Sequence, residues 1–335
     1  MSGPEPRANP ELVGHEAAER ILLEAVRGGR LHHAWLIVGP VGVGKATLAY
    51  RFARWLLSGR DGEGLALDPR DPVFRRVAAG SHADLHTIGR SVDGRTGRRH
   101  REILVDDVRA GAEFLRRTAA EGGWRVVMVD PAEALNANAA NALLKVLEEP
   151  PPRAVLLLVC SAPGRLPATL RSRCRLLRLA ALGDAEMEAL LARYLPDLPP
   201  EERARLAALA EGSPGRALRL AAEEGVAIAA LVDEVLACVP RFGRARAYGL
   251  IDRLGRGESG FSTFMELLLG AIAAAVRAGA RGRADQDQLR LLAVRPLDAW
   301  GEVWHALSHL ADEVERFNLD RRQAVVSGLA LLDEA

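Results

Sequence analysis

Apolar residues fall in two kinds of run along this chain. Up to about residue 179, short blocks of consecutive apolar residues alternate with segments whose apolar positions recur every three or four residues; beyond residue 180 only the second kind persists. Trp35-Leu36-Ile37-Val38, Val126-Val127-Met128-Val129 and Ala154-Val155-Leu156-Leu157-Leu158-Val159 are uninterrupted and flanked by turn residues, as expected of strands covered on both faces. Asp84-Leu85-His86-Thr87-Ile88 is a weaker strand candidate. Helical spacing occupies 15–26, 46–57, 107–119 and 138–147, the last stopped by Pro150-Pro151-Pro152. Strands alternating with helices predict an α/β domain, a parallel sheet with helices on both faces.

After Ala180 the pattern predicts three short amphipathic helices at 184–194, 200–211 and 215–223, with Asp184 and Ser213 as N-caps. Longer helices follow at 227–239, 243–254, 261–278, 286–292, 297–318 and 321–332, broken at Pro240, Gly257, Gly279 and Pro296. The chain therefore divides into an α/β domain over 1–180, a small helical domain over 181–225 and an all-helical module over 226–335. The first eleven residues, rich in Pro, Gly and charge, read as a loose tail. Residues 58–101 read as an excursion from the sheet.

Charge narrows the function classes. With 45 Lys and Arg against 44 Asp and Glu, the formal net charge is +1, so a global basic field for nucleic acid is absent, and only local patches such as Arg165, Arg171, Arg173 and Arg175 remain. Three cysteines, Cys160, Cys174 and Cys238, show no metal spacing and no even framework, which suggests a reducing, cytoplasmic setting. Neither end reads as a leader. The apolar stretch over 264–276 contains Glu266 and is short for a membrane span, so no membrane partner is expected.

The chemistry concentrates at one loop. Gly39-Pro40-Val41-Gly42-Val43-Gly44-Lys45 lies between a buried-strand run and a helical run, the context in which glycines turn backbone N–H groups around phosphates and a lysine reaches the β/γ-phosphates. Only two lysines, Lys45 and Lys145, occur in the chain. Retaining one here, against so strong an arginine preference, argues for a phosphate pocket that needs a compact ammonium. The next residue is Ala46, where a Ser or Thr would hold Mg²⁺. Thr47 lies about 100° further round the helix and faces away from the metal position. The strand-end acid Asp130 is followed by Pro131 rather than a water-orienting glutamate, and Glu133 points elsewhere unless the turn is unusual. Both departures remove hydrolysis parts.

Asn141-Ala142-Leu143-Leu144-Lys145-Val146-Leu147-Glu148-Glu149-Pro150-Pro151, the segment Leu166-Pro167-Ala168-Thr169-Leu170-Arg171-Ser172-Arg173-Cys174, Leu31-His32-His33-Ala34-Trp35 and Val13-Gly14-His15-Glu16 together resemble the clamp-loader branch of the AAA+ ATPases. The resemblance covers about the first 220 residues. It implies a P-loop AAA+ domain, a lid domain and a helical collar, and a non-motor subunit of the replicative polymerase's loader. Its partners would be the motor subunits (tau/gamma) and a delta subunit, with the sliding clamp and primed DNA met through the assembly. The same resemblance makes Arg173 an arginine finger for a neighbour's ATP site, with a local ion pair to a nearby carboxylate as the lesser alternative on its residues alone. By the same token Ser161 takes the sensor-1 position, although by its residues it is equally a plain strand-end hydroxyl, and Arg216 takes the sensor-2 position. Gly39, Gly42, Gly44, Lys45, Thr47 and Asp130 complete the nucleotide surround, with ATP or ADP as the nucleotide it would take. The family's motor subunits carry a full Walker A, an Asp-Glu strand end and a zinc-binding cysteine module, and none of the three is found here. The stretch 58–89 holds His82 and His86 but no cysteine, so no structural zinc is expected. An autonomous motor of the tau/gamma kind is the alternative reading.

Overall fold

A computed structural model describes residues 3–92, 94, 97, 99–121, 123–254 and 258–333. The chain forms two compact units, one ending at Leu218 and the other beginning at Arg219.

The first unit is built on a parallel sheet. Its helices are α1 (Glu16–Arg27), α2 (Lys45–Ser58), α3 (Pro72–Ala78), α4 (Val105–Arg116), α5 (Ala137–Glu148), α6 (Ala168–Arg171), α7 (Asp184–Tyr194) and α8 (Pro200–Ala210). The strands are β1 (Ala34–Val38), β2 (Leu85–Ile88), β3 (Arg125–Val129), β4 (Ala154–Cys160) and β5 (Arg175–Arg178), in the order β2-β3-β4-β1-β5. All four pairings are parallel, with Trp35 opposite Leu157 and Val127 opposite Leu156. β1, β3 and β4 are buried at every position, which is why they read as unbroken apolar runs. β5 is an edge strand with Arg175, Leu176 and Arg178 exposed; the Arg175 guanidinium covers the Trp35 ring at 4.9 Å. The order puts β1 beside β4 and leaves the C-terminal ends of β1, β3 and β4 adjacent, where open α/β sheets bind their ligands.

Two sequence expectations change here. The excursion contains α3, whose N-cap Asp71 accepts a hydrogen bond from Val73 N at 2.8 Å and whose Val73, Phe74 and Val77 are buried. The N-terminal tail is pinned rather than loose: the carbonyls of Arg7 and Asn9 accept hydrogen bonds from Arg54, and that of Pro10 accepts one from Arg51. Arg54 is 1% exposed and lies 4.2 Å from the Phe74 ring, so these carbonyls supply the acceptors that a buried guanidinium requires. Burial lowers its pKa to about 10. Arg51 also pairs with Glu19 at 2.7 Å.

α9 (Pro214–Ala222) crosses from the first unit to the second, which continues with α10 (Gly225–Cys238), α11 (Arg244–Leu254), α12 (Glu258–Ala280), α13 (Gln286–Leu292), α14 (Leu297–Phe317) and α15 (Arg321–Asp333). α12 is longer than its sequence suggested, because helical structure extends past both ends of the apolar stretch; by length and composition it would suffice to cross a membrane. In this unit it is a packing helix against α10 and α14, with Phe264, Leu268, Ile272 and Ala275 buried. Glu266 pairs with Arg219 at 2.6 Å, and the Leu269 carbonyl accepts from Trp304 Nε1 at 3.1 Å. The break expected at Gly257 lies outside the described residues.

Candidate functional site

The loop between β1 and α2 wraps as its glycines dictate. Gly42 has φ +78° and Gly44 φ +108°, left-handed conformations that an L side chain disfavours. A Cβ on Gly39 would lie 2.5 Å from the Leu179 carbonyl oxygen. Gly44 caps α2, so the first N–H groups of that helix open into the loop and form an anion-seeking concavity. The Lys45 ammonium is buried and donates to the Gly39 and Pro40 carbonyls at 2.9 and 2.6 Å. His15 Nε2 is 2.8 Å from the Val43 carbonyl oxygen and braces the loop from beneath.

The start of α9 closes over the loop. Ser213 Oγ donates to the Val41 carbonyl at 2.6 Å, and Gly215 N donates to the Gly42 carbonyl at 2.9 Å. Ser213 Oγ also accepts from Arg216 N at 3.3 Å, capping α9 as the sequence indicated. A Cβ on Gly42 would come within 2.6 Å of Ser213 Oγ, and one on Gly215 within 2.9 Å of Gly42 Cα. Arg216 thus stands in the first turn of a helix seated directly on the cradle, 3.9 Å from Glu211.

Opposite the lysine lie the strand-end acids. Burial first, then the nearby Glu133 carboxylate, pushes the Asp130 pKa up to about 6, with Lys45 opposing the rise. Burial lowers the Lys45 pKa against the pull of Glu133 and Asp130. The turn at Ala132–Ala134 is a single 3₁₀ turn. It folds Glu133 back to the site, where Oε1 accepts from Ser161 N at 3.0 Å. Burial and Glu133 together push the Cys160 thiol up to about 12. Asp130, Glu133, Ser161 and Lys45 therefore form one cluster across the ends of β3, β4 and β1. Thr47 is buried within the first turn of α2, as its helical position requires.

Residues 14–183 match the protein family described as DNA polymerase III, delta subunit. The chain belongs to that family. It is 42% identical to DNA polymerase III subunit delta' of Pseudomonas aeruginosa over 195 residues, 58% of this chain and 57% of that protein. The delta' subunit of Escherichia coli is 38% identical over 201 residues, 59% of this chain and 57% of that protein. DNA polymerase III subunit tau/gamma of Haemophilus influenzae is 32% identical over 214 residues, 62% of this chain but 29% of that protein. The matches to the delta' relatives span just over half the length of each.

For this member of the delta-subunit family, the donor set tests what the cradle can hold. Gly42, Gly44 and Lys45 suit phosphate oxygens in type and backbone conformation. Ala46 offers no oxygen to a metal, and Thr47 is turned into the helix packing. The loop thus has the donors that phosphates call for, while the first turn of α2 supplies no oxygen for a metal. No group of three or more His, Cys, Asp or Glu side chains suited to a metal exists among the described residues.

Arg173 stands apart from this cluster, after α6. Its Nη2 pairs with Glu148 Oε1 at 2.8 Å and its Nη1 donates to the Thr169 carbonyl at 3.0 Å. Both partners of the pair face solvent, with side chains 37% and 52% exposed. The local ion pair that the sequence allowed is thus present, in a form that leaves the guanidinium accessible. Sequence reasoning missed the return of Glu133 and the bracing role of His15. The signal for His15 was its place in Val13-Gly14-His15-Glu16; for Glu133 the acid was visible, but its turn was not.

Proposed function

We propose that the chain is the non-motor delta' subunit of the DNA polymerase III clamp loader. In that role it does not hydrolyse ATP itself. It presents Arg173 to the ATP site of a neighbouring tau/gamma-type motor subunit, in a cytoplasmic assembly that also contains a delta subunit and that places the sliding clamp on primed DNA. The observation that carries this reading is the contrast between the two sites: a well-formed phosphate cradle lacking its metal oxygen, and an arginine held accessible on the surface. A guanidinium brought to a γ-phosphate stabilises charge that grows in the transition state, and a finger supplied in trans is worth roughly 10³–10⁵-fold in rate. Any ATP or ADP at the chain's own site would be held by Gly42, Gly44 and Lys45, with Asp130 and Ser161 beside the phosphates and Arg216 on the lid helix.

The test is steady-state ATP hydrolysis by the chain alone and by cognate motor subunits reconstituted with it or with Arg173→Ala. Background turnover by the isolated chain, with loss of roughly 10³-fold at the completed site for Arg173→Ala, is the expected outcome. Robust Mg²⁺-dependent turnover by the isolated chain would instead make it a motor of the tau/gamma kind, to which the 32% identity with the Haemophilus influenzae protein also points.

A further inference from the structure

Arg173 is held by two groups from different elements. Thr169, whose carbonyl takes one guanidinium N–H, belongs to the single turn α6. Glu148, whose carboxylate forms an ion pair with Nη2 at 2.8 Å, is the last residue of α5. A carboxylate at a helix C-terminus lies next to the negative end of the peptide dipoles, so Glu148 and the carbonyls around it make a place that favours a cation. One of the five guanidinium N–H donors is hydrogen-bonded there, and the ion pair holds the second amino group beside the carboxylate. Two points of attachment restrict a side chain that would otherwise sample many rotamers.

We infer that Glu148 is a positioning residue for Arg173: it holds the guanidinium in the orientation from which its remaining donors meet a neighbour's γ-phosphate. This rests on the trans-finger reading proposed above. The pair is solvent-exposed, so it is weak by itself, and its contribution is to orientation rather than to fold stability. A free arginine must lose rotamer entropy when it engages phosphate, whereas an anchored one has already lost most of it.

The experiment is steady-state ATP turnover of the full loader reconstituted with the wild-type chain, Glu148→Ala, Glu148→Gln, Arg173→Ala and the double variant, with thermal melts of each isolated chain. Glu148→Ala should lower kcat about 3- to 5-fold and leave KM unchanged, a change below ~1 kcal/mol at ~1.36 kcal/mol per decade. Glu148→Gln, which keeps an acceptor oxygen but no charge, should fall between Ala and wild type. On the Arg173→Ala background the Glu148 substitution should do nothing further, and melting temperatures should stay together. Equal losses with and without Arg173, a lowered melting temperature for Glu148→Ala, or an unchanged or raised kcat would each overturn the inference. A silent Arg173→Ala would overturn the finger reading and this inference with it, whereas a damaging Arg173→Ala beside a silent Glu148→Ala would leave the finger reading intact and overturn only the role of Glu148.

Discussion

Asp130 shows how far a single side chain can be bent from its ordinary chemistry by its neighbours. Burial and the Glu133 carboxylate raise its pKa to about 6, so the folded chain prefers the protonated acid over a range where the unfolded chain has already lost the proton. A raised folded pKa contributes stability below the unfolded value, near 3.8, and that contribution is lost as pH climbs through about 6. Asp130→Asn carries no charge at any pH. It should therefore be more stable than the wild type at pH 7.5 by on the order of ~1–2 kcal/mol, the gain being limited because Lys45 loses a partner. Near pH 4 the two chains should unfold together. Urea unfolding at both pH values reads this directly, and a constant offset between the curves would mean that Asp130 is not the titrating group.

At the scale of elements, the start of α9 packs directly on the loop between β1 and α2. Ser213 Oγ bonded to the Val41 carbonyl, and Gly215 N bonded to the Gly42 carbonyl, bring two loops separated by more than 170 residues into backbone contact. Ser213→Ala removes both that bond and the cap of α9 and should cost about 1–2 kcal/mol of unfolding free energy. Gly215→Ala should cost more, since its Cβ would meet Gly42 Cα and the Gly42 carbonyl oxygen at 2.9 Å, both backbone atoms that cannot swing aside. Gly164→Ala, with open space around its Cβ, should change stability by less than ~0.5 kcal/mol. Denaturant unfolding of the three variants gives the comparison, and equal losses at Gly215 and Gly164 would show that α9 does not rest on the cradle. Ser213 was recognisable in the sequence as a helix cap, but its bond to Val41 was not, because long-range backbone contacts leave no local pattern. The same reason separates the other elements. β1, β3 and β4 announce themselves because burial on both faces demands unbroken apolar residues. α3 was overlooked although Asp71-Pro72 followed by Val73, Phe74 and Val77 is an N-cap and an apolar face; seven residues are too few for a periodic signal amid so polar a stretch. The tail over 3–11 looked loose because its own side chains bury little, and what fixes it are its carbonyls, which Arg51 and Arg54 claim from α2.

For the whole molecule, balanced charge decides what the chain can do without partners. Nucleic-acid affinity that does not depend on sequence comes from phosphates neutralised and counterions released, in proportion to the number of basic groups that reach the backbone. Here 45 basic residues face 44 acidic ones, and many of the surface arginines are already paired, among them Arg76 with Glu121, Arg173 with Glu148 and Arg253 with Glu234. Each carboxylate offsets the positive charge that its arginine could offer to a phosphate backbone. The isolated chain should therefore bind a primed duplex no more tightly than a Kd of roughly 10⁻⁵ M at physiological salt, with a log–log salt slope shallower than about −3, measured by fluorescence anisotropy from 50 to 200 mM salt. Submicromolar binding with a steep slope would mean that a concentrated basic track exists on this chain after all. Weak binding alone, together with tight binding by the reconstituted loader, would place DNA affinity in the assembly, where separate patches act at high effective concentration. A chain whose phosphate cradle lacks a metal oxygen on its first helical turn would then act through what it presents to its neighbours.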